Sequence, residues 1–324
     1  MENIMILHKT RRAFEDAIRA ASDHFNIRET FVEKDYWVTF ILKRLSQSAN
    51  RDKVVFKGGT SLSKVYKLIE RFSEDIDLAI VREEGQSDNQ IGKLIKSLQN
   101  ELIMGFEEVV TENTTRHKNF RRNEYDFEHL TEFGTASSPG INRNLVLEIN
   151  SLADPIPNER YQMRSIIAEF LEENGNTEAI SAYELDPFEL NVLLPRPTLT
   201  EKILSIIRLS CFDDGIERIR SKVRHFYDIY YLANSVYCKE YIKTSEFLQD
   251  FRRMYFEDKT KFNDPDRWIQ MHYNESSAFN SFNEIWSSVR SSYESDFKLL
   301  VYGKFPSERE VSDKFRELIA ILKE

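Results

Sequence analysis

Apolar residues fall at two distinct spacings along this chain. Phe31, Tyr36, Trp37, Phe40, Ile41 and Leu45 recur at helical spacing with Glu33, Lys34, Lys43 and Arg44 between them, which predicts a helix. Val54–Phe56 is a short apolar run closed by Gly58 and Gly59, the pattern of a buried strand end. Leu62, Val65, Tyr66 and Ile69 predict a helix over Ser61–Glu70, and Asp75–Val81 alternates like a strand. A second strand is predicted at Leu145–Ile149, where Leu145, Leu147 and Ile149 share one face and Val146 and Glu148 the other. Leu130–Gly140 has loop composition, and Tyr161–Glu173 reads as helical. Region 100–130 is weakly patterned, so strands there would go unmarked.

The clearest break is Leu194-Pro195-Arg196-Pro197. Beyond it, helices are predicted at Leu199–Cys211, Ile216–Ser235, Thr244–Glu257, Ser277–Tyr293 and Arg309–Leu322. Thr198 and Glu201 stand at capping-box spacing, placing the first of these starts near Thr198. The expectation is a mixed α/β domain over residues 1–195 and a helical domain over 196–324.

Composition narrows the class. The 324 residues allow a sizeable core, and 10 Gly with 8 Pro leave little room for disordered linkers. No run approaches the roughly 20 apolar residues of a membrane helix, and the N-terminus lacks the parts of an export signal. Cys211 and Cys238 cannot make a zinc site alone, which points to reduced thiols and the cytoplasm. A net charge of −9 argues against a surface coated for nucleic acid. Two basic stretches survive that average: Arg116, His117, Lys118, Arg121 and Arg122, then Arg218, Arg220, Lys222, Arg224 and His225. Each is either a phosphate-tracking surface or a solvated face.

The chemistry concentrates in Lys57-Gly58-Gly59-Thr60-Ser61 and in Ser73-Glu74-Asp75-Ile76-Asp77. Paired glycines after a strand let backbone N–H groups approach a phosphate, and Thr60 and Ser61 add hydroxyls at a helix start. Lys57 either touches phosphate or stays in water. The P-loop pattern is absent. Asp75 and Asp77 lie two apart on a strand, so both carboxylates leave one face while Ile76, Leu78 and Ile80 turn to the core. Two carboxylates this close repel unless a cation lies between them. Mg²⁺, which takes oxygen ligands and completes its shell with water and phosphate, suits such a pair. Glu148 is either a third carboxylate of a two-metal site or an ordinary solvent-facing strand residue. The three tryptophans, Trp37, Trp268 and Trp286, are expected in cores.

The run GGTSLSKVYKLIERFSEDIDLAI resembles the AbiEii/AbiGii toxin family of nucleotidyltransferases, the toxin half of type IV toxin–antitoxin pairs. EKDYWVT at Glu33–Thr39, LLPRPTLTEKILSIIRL at Leu193–Leu209 and KVRHFYDIYYLA at Lys222–Ala233 extend the likeness over roughly residues 31–235. The resemblance implies a polymerase-beta-like α/β core, Mg²⁺ and nucleoside triphosphate binding, transfer of nucleotides to the 3′ acceptor end of tRNA, and a cognate antitoxin. It assigns Gly59, Thr60 and Ser61 to nucleotide phosphates and Asp75 and Asp77 to the metal; the paired-glycine reading adds Gly58 to the phosphate set. It matches Lys202 to the lysine of a Glu-Lys-Ile motif, and Asp228 to the aspartate of an Arg-Asp-x-Tyr-Asp-like motif, where His225 replaces a common acidic residue. From its residues alone, Lys202 sits near a helix start and meets either a phosphate or Asp228; Asp228 is either exposed or orients Lys202. Arg218, Arg220, Lys222 and Arg224 would be the RNA-binding strip. Two other functions fit the same motifs: a nucleotide-binding regulatory protein without turnover, and an antibiotic-type small-molecule nucleotidyltransferase.

Overall fold

A computed structural model describes residues 5–132, 141–262 and 264–323, so most of the loop read at Leu130–Gly140 lies outside the described residues. The chain divides into two compact units. The first runs to Tyr66 and resumes over Phe72–Leu193, and the second takes Lys67–Arg71 together with everything from Leu194 onward.

The first unit opens with helices α1 (Arg11–Phe25) and α2 (Glu29–Gln47). Strand β1 (Val54–Lys57) leads directly into helix α3 (Gly58–Lys64), and β2 spans Asp75–Ile80. Then come α4 (Asp88–Leu102), β3 (Glu107–Val109), β4 (Thr115–Arg116), β5 (Phe120–Asp126), β6 (Leu145–Asn150), β7 (Asn158–Met163), α5 (Ile166–Glu173), α6 (Thr177–Ala182) and β8 (Phe188–Leu193). The strands form one mixed sheet in the order β3-β5-β6-β2-β1-β8-β7, with β4 on β5. β2 runs antiparallel to β1 and parallel to β6.

One face of this sheet is core. Phe56, Ile76, Leu78, Ile80, Leu145, Leu147, Ile149 and Val192 are all buried, covered by α2 and α4. α4 is capped as sequence chemistry prefers, with a reciprocal Ser87–Gln90 box. The mixed α/β class read from the sequence is therefore the class observed.

Several local readings change. The helix expected over Ser61–Glu70 is α3, which stops at Lys64; Lys67 takes a positive φ of 50°, and Tyr66 and Ile69 are buried beyond its end. Region 100–130 holds β3, β4 and β5, and Tyr161–Met163 is strand rather than helix. α2 does not keep its charges on a polar side: Glu33 and Lys34 are fully buried, because the helix is covered on more than one side.

The second unit is helical: α7 (Pro195–Leu209), α8 (Gly215–Ser221), α9 (Arg224–Asn234), α10 (Ser245–Lys261), α11 (Asp266–Gln270), α12 (Ser277–Asn280), α13 (Phe282–Glu294) and α14 (Glu308–Leu322). α7 begins at Pro195, whose fixed φ and missing N–H suit the first helical position, so the start precedes Thr198. Thr198 caps nothing; its buried hydroxyl has no hydrogen-bond partner. The span expected as one helix over Ile216–Ser235 is two, divided at Lys222 and Val223. Trp268 and Trp286 lie in this unit's core and Trp37 in that of the first. Among the described residues no helix is long and apolar enough to cross a membrane.

Leu78 is fully buried at the centre of the sheet, paired with Phe56 on one side and Ile149 on the other. Leu78→Ala should cost about 2–5 kcal/mol, measured as a shift in a urea melt.

Candidate active site

The face of the sheet opposite the core carries charge. Strand register sets Lys57, Asp77, Glu148 and Arg122 side by side on β1, β2, β6 and β5. The row reads cation, anion, anion, cation. One step toward the start of β2, Asp75 pairs with Val146, which pairs in turn with Glu124. Asp75, Asp77 and Glu148 are each half-buried. The strand period thus gathers the three predicted acids on one face, with Asp77 and Glu148 on adjacent strands.

Gly58 brings the glycine turn onto this row. Its φ is +83°, a conformation that side chains rarely adopt. A β-carbon built on Gly58 would lie 2.0 Å from Asp77 Oδ2 and 2.8 Å from its Cγ. The carboxylate therefore occupies the space that any other residue would fill. The first turn of α3 and the Asp77 side chain are in van der Waals contact, which the sequence could express only as a glycine and an aspartate 19 positions apart.

Thr60 and Ser61 are placed differently from their sequence reading. Both are buried. The Thr60 hydroxyl donates to the Asp75 carbonyl at 2.6 Å and shares a hydrogen bond with Ser73, while Ser61 donates to the Gly58 carbonyl at 2.9 Å. These hydroxyls brace the turn against the start of β2. What the turn can present outward to a phosphate is backbone N–H.

The donor set suits a hard divalent cation, since it is made of carboxylate oxygens beside a glycine turn. Among the described residues, no group of three or more His, Cys, Asp or Glu side chains is gathered closely enough to hold an ion by itself. A metal here would take two protein carboxylates and fill its shell from water and phosphate, as Mg²⁺ commonly does. Glu148 Oε1 accepts a hydrogen bond from Asn150 Nδ2 at 3.1 Å. Glu74, next to Asp75, has its pKa pushed up to about 7 by burial, against the pull of Lys34 and with the Asp75 charge adding to the rise.

Lys202 and Asp228 meet in the second unit. Lys202 Nζ lies 2.7 Å from Asp228 Oδ2, and Arg71 grips the same carboxylate in a fork, Nε to Oδ1 at 2.6 Å and Nη2 to Oδ2 at 2.7 Å. Burial would raise the Asp228 pKa, but these two cations hold it well below the usual carboxylate range. Burial lowers the Lys202 pKa; Asp228 opposes that shift and Arg71 adds to it. Asp228 is fully buried, and its carboxylate is bonded to both Lys202 and Arg71. Lys202 lies in the interior of α7, which removes the argument from a helix start. Arg71 had no assigned role in the sequence, because nothing in its local spacing points to a partner 157 positions away.

His225 is held neutral by burial and by the charges of Lys202 and Lys222. Within the basic strip, Arg218 pairs with Asp214 at 2.7 Å and Arg220 with Glu217 at 2.5 Å, so these two charges are offset locally. The other basic stretch is likewise paired, Arg116 to Glu108 at 2.9 Å and Arg122 to Glu124 at 3.2 Å.

Residues 41–318 match the family described as "Nucleotidyl transferase AbiEii toxin, Type IV TA system". The chain belongs to the AbiEii family. The match runs from within α2 to within α14, so it takes in the C-terminal helices that the sequence motifs did not reach. AbiEii membership makes this a nucleotidyltransferase of the toxin type. A crystal structure of a candidate nucleotidyltransferase from H. pylori is similar at 16% identity, with a TM-score of 0.44, over 92% of this chain and 96% of that one. A search of curated proteins gave no match.

Gly58→Ala should destabilise by about 1–3 kcal/mol, through backbone strain and displacement of the Asp77 carboxylate. In an Asp77→Ala background the clash with the carboxylate atoms should go, while the close 3.0 Å approach to the residue-77 β-carbon and the backbone strain remain, leaving a smaller penalty in the same denaturant series. Asp228→Asn leaves two cations facing a neutral amide and should cost about 3–5 kcal/mol. Because the folded carboxylate titrates below its unfolded value, this stability is present above the ordinary carboxylate pKa and lost as pH falls through the folded one. The melting-temperature gap between wild type and variant should be full at pH 7 and narrow below about pH 4.

Proposed function

We propose that this AbiEii-family protein transfers a nucleotidyl group from a nucleoside triphosphate to RNA, with the 3′ acceptor end of tRNA as the target and Mg²⁺ as the cofactor. The observation that carries the reading is the seat of the Asp77 carboxylate against Gly58. It brings an acidic pair and a phosphate-compatible backbone turn together where the central strands β1 and β2 meet.

In this reading Asp75 and Asp77 hold one divalent ion, and the backbone of Gly58, Gly59, Thr60 and Ser61 receives the triphosphate. A bound Mg²⁺ would supply charge neutralisation for the phosphates and lower the pKa of the acceptor hydroxyl. The hydroxyl oxygen bonds to the α-phosphorus, the bridge to the β-phosphate breaks, and pyrophosphate departs while the hydroxyl proton passes to solvent. The chain contributes positioning and electrostatic stabilisation. Fixing Asp77 by contact with Gly58 and Asp75 by the Thr60 hydrogen bond to its carbonyl reduces the reorganisation needed when nucleotide arrives. The proposal is confined to one ion; a second held by Glu148 is not needed for this step. The type IV family also supports a cognate antitoxin as partner. Buried, unbonded Cys211 and Cys238 suit the reducing cytoplasm.

Incubation with each labelled nucleoside triphosphate, Mg²⁺ and mixed tRNA, followed by sizing of the RNA, should show lengthened tRNA with one preferred nucleotide. Asp77→Ala should lose this activity by at least about a hundredfold, the scale of removing one preorganised electrostatic group. Transfer at the wild-type rate by that variant would refute the assignment. Pyrophosphate release without tRNA, on addition of a small hydroxylated acceptor, would point to the antibiotic-type reading. Nucleotide binding with no release under any condition would point to the regulatory one.

A further inference from the structure

Glu33, Lys34 and Asp35 are consecutive on α2, so their side chains leave the helix about 100° apart. All three are drawn in: the Lys34 side chain is fully buried, Glu33 is fully buried, and the Asp35 side chain is 15% exposed. Burying a charge costs several kcal/mol unless bonds replace its water, so the partners of these residues are informative.

Lys34 Nζ donates to the carbonyls of Asn142 at 2.7 Å and Asn144 at 2.5 Å, and lies 3.3 Å from Glu74 Oε2. Glu74 Oε1 accepts the Asn142 N–H at 2.8 Å. Glu74 immediately precedes Asp75 at the start of β2, and Asn144 immediately precedes β6. Asp35 Oδ1 pairs with Lys64 Nζ at 2.5 Å, and its Oδ2 accepts the Ile166 N–H at 2.7 Å. Lys64 is the last residue of α3, the helix that Gly58 begins. Two adjacent residues of one helix thus hold the far end of the glycine helix and the leading ends of two neighbouring acidic strands. Apolar packing tolerates a slide along a strand, whereas charge-assisted hydrogen bonds fix distance and direction. A functional constellation needs its groups held within about 0.5 Å.

We infer that Lys34 and Asp35 are positioning residues for the metal–nucleotide site, setting Gly58 and the Asp75–Asp77 pair in register through Lys64, Glu74 and the Asn142–Asn144 backbone. The inference rests on the assignment of Asp75 and Asp77 proposed above. Glu33 provides an internal contrast. It is equally buried, but it accepts hydrogen bonds from the Leu130 and Thr131 N–H groups and the Thr131 hydroxyl, none of which adjoins an acidic strand start or the glycine helix.

The test is Mn²⁺ binding, followed by electron paramagnetic resonance with a non-hydrolysable ATP analogue, on full-length protein well below its melting temperature. Circular dichroism reports the fold. Wild type should retain Mn²⁺ and Asp77→Ala should release it; a wild type that holds none sinks the site assignment, and this inference with it. Given a binding wild type, folded Lys34→Met and Asp35→Asn should bind about 10–100-fold more weakly, the usual range for groups that orient metal ligands. Glu33→Gln should melt earlier yet keep wild-type affinity. Wild-type affinity in folded Lys34→Met or Asp35→Asn, or an equal loss in Glu33→Gln, would show that these charges only support the fold. If Lys34→Met does not fold, Asp35→Asn and Lys64→Met, which break the Lys64–Asp35 tie from either side, decide it by the same criterion.

Discussion

A carboxylate oxygen of Asp77 occupies the space where any residue but glycine would carry a β-carbon at position 58. Much else in the first unit is arranged so that this contact can exist. β1 must deliver Gly58 beside β2, and their register does so by pairing Lys57 with Asp77. The turn must accept a left-handed backbone, which only glycine adopts without penalty. The strand carrying Asp77 must not rotate, and Ile76, Leu78 and Ile80 prevent that from the buried face.

Around that contact, polar groups set position and apolar groups supply cohesion. Thr60 and Ser61 turn their hydroxyls inward to brace the glycine turn. Lys34 and Asp35 are drawn into the interior from α2 and bonded there. In the second unit, Asp228 has no access to solvent and two cations on one carboxylate, which makes it an organiser of charge. Each of these groups is costly to bury alone and specific once paired.

The sequence made the chemistry more legible than the architecture. Asp75-Ile76-Asp77 announced its strand and faces because alternation has only one period, and the structure keeps that alternation. The paired glycines marked a turn, although they could not reveal which side chain would lean on it. β3 to β5 and β7 went unread because their polar residues outnumber the apolar ones; Phe120–Asp126 and Asn158–Met163 owe their strand form to sheet neighbours. The burial of Glu33 and Lys34 was not legible, since it depends on partners roughly 40 to 110 positions away, which no local window includes. Thr198 mimicked a cap that Pro195 had already made unnecessary.

The route of the chain between the glycine turn and the acidic strand has one more consequence. Residues Lys67–Arg71 are counted with the helical unit, and Arg71 gives its guanidinium to Asp228 there. Severing the polypeptide near Leu194 would therefore yield no two self-sufficient fragments: the C-terminal piece would keep an Asp228 stripped of its forked partner, and the N-terminal piece would carry an arginine with its acid gone. Linear order and spatial membership disagree over five residues, and a genetic dissection of this protein must respect the second.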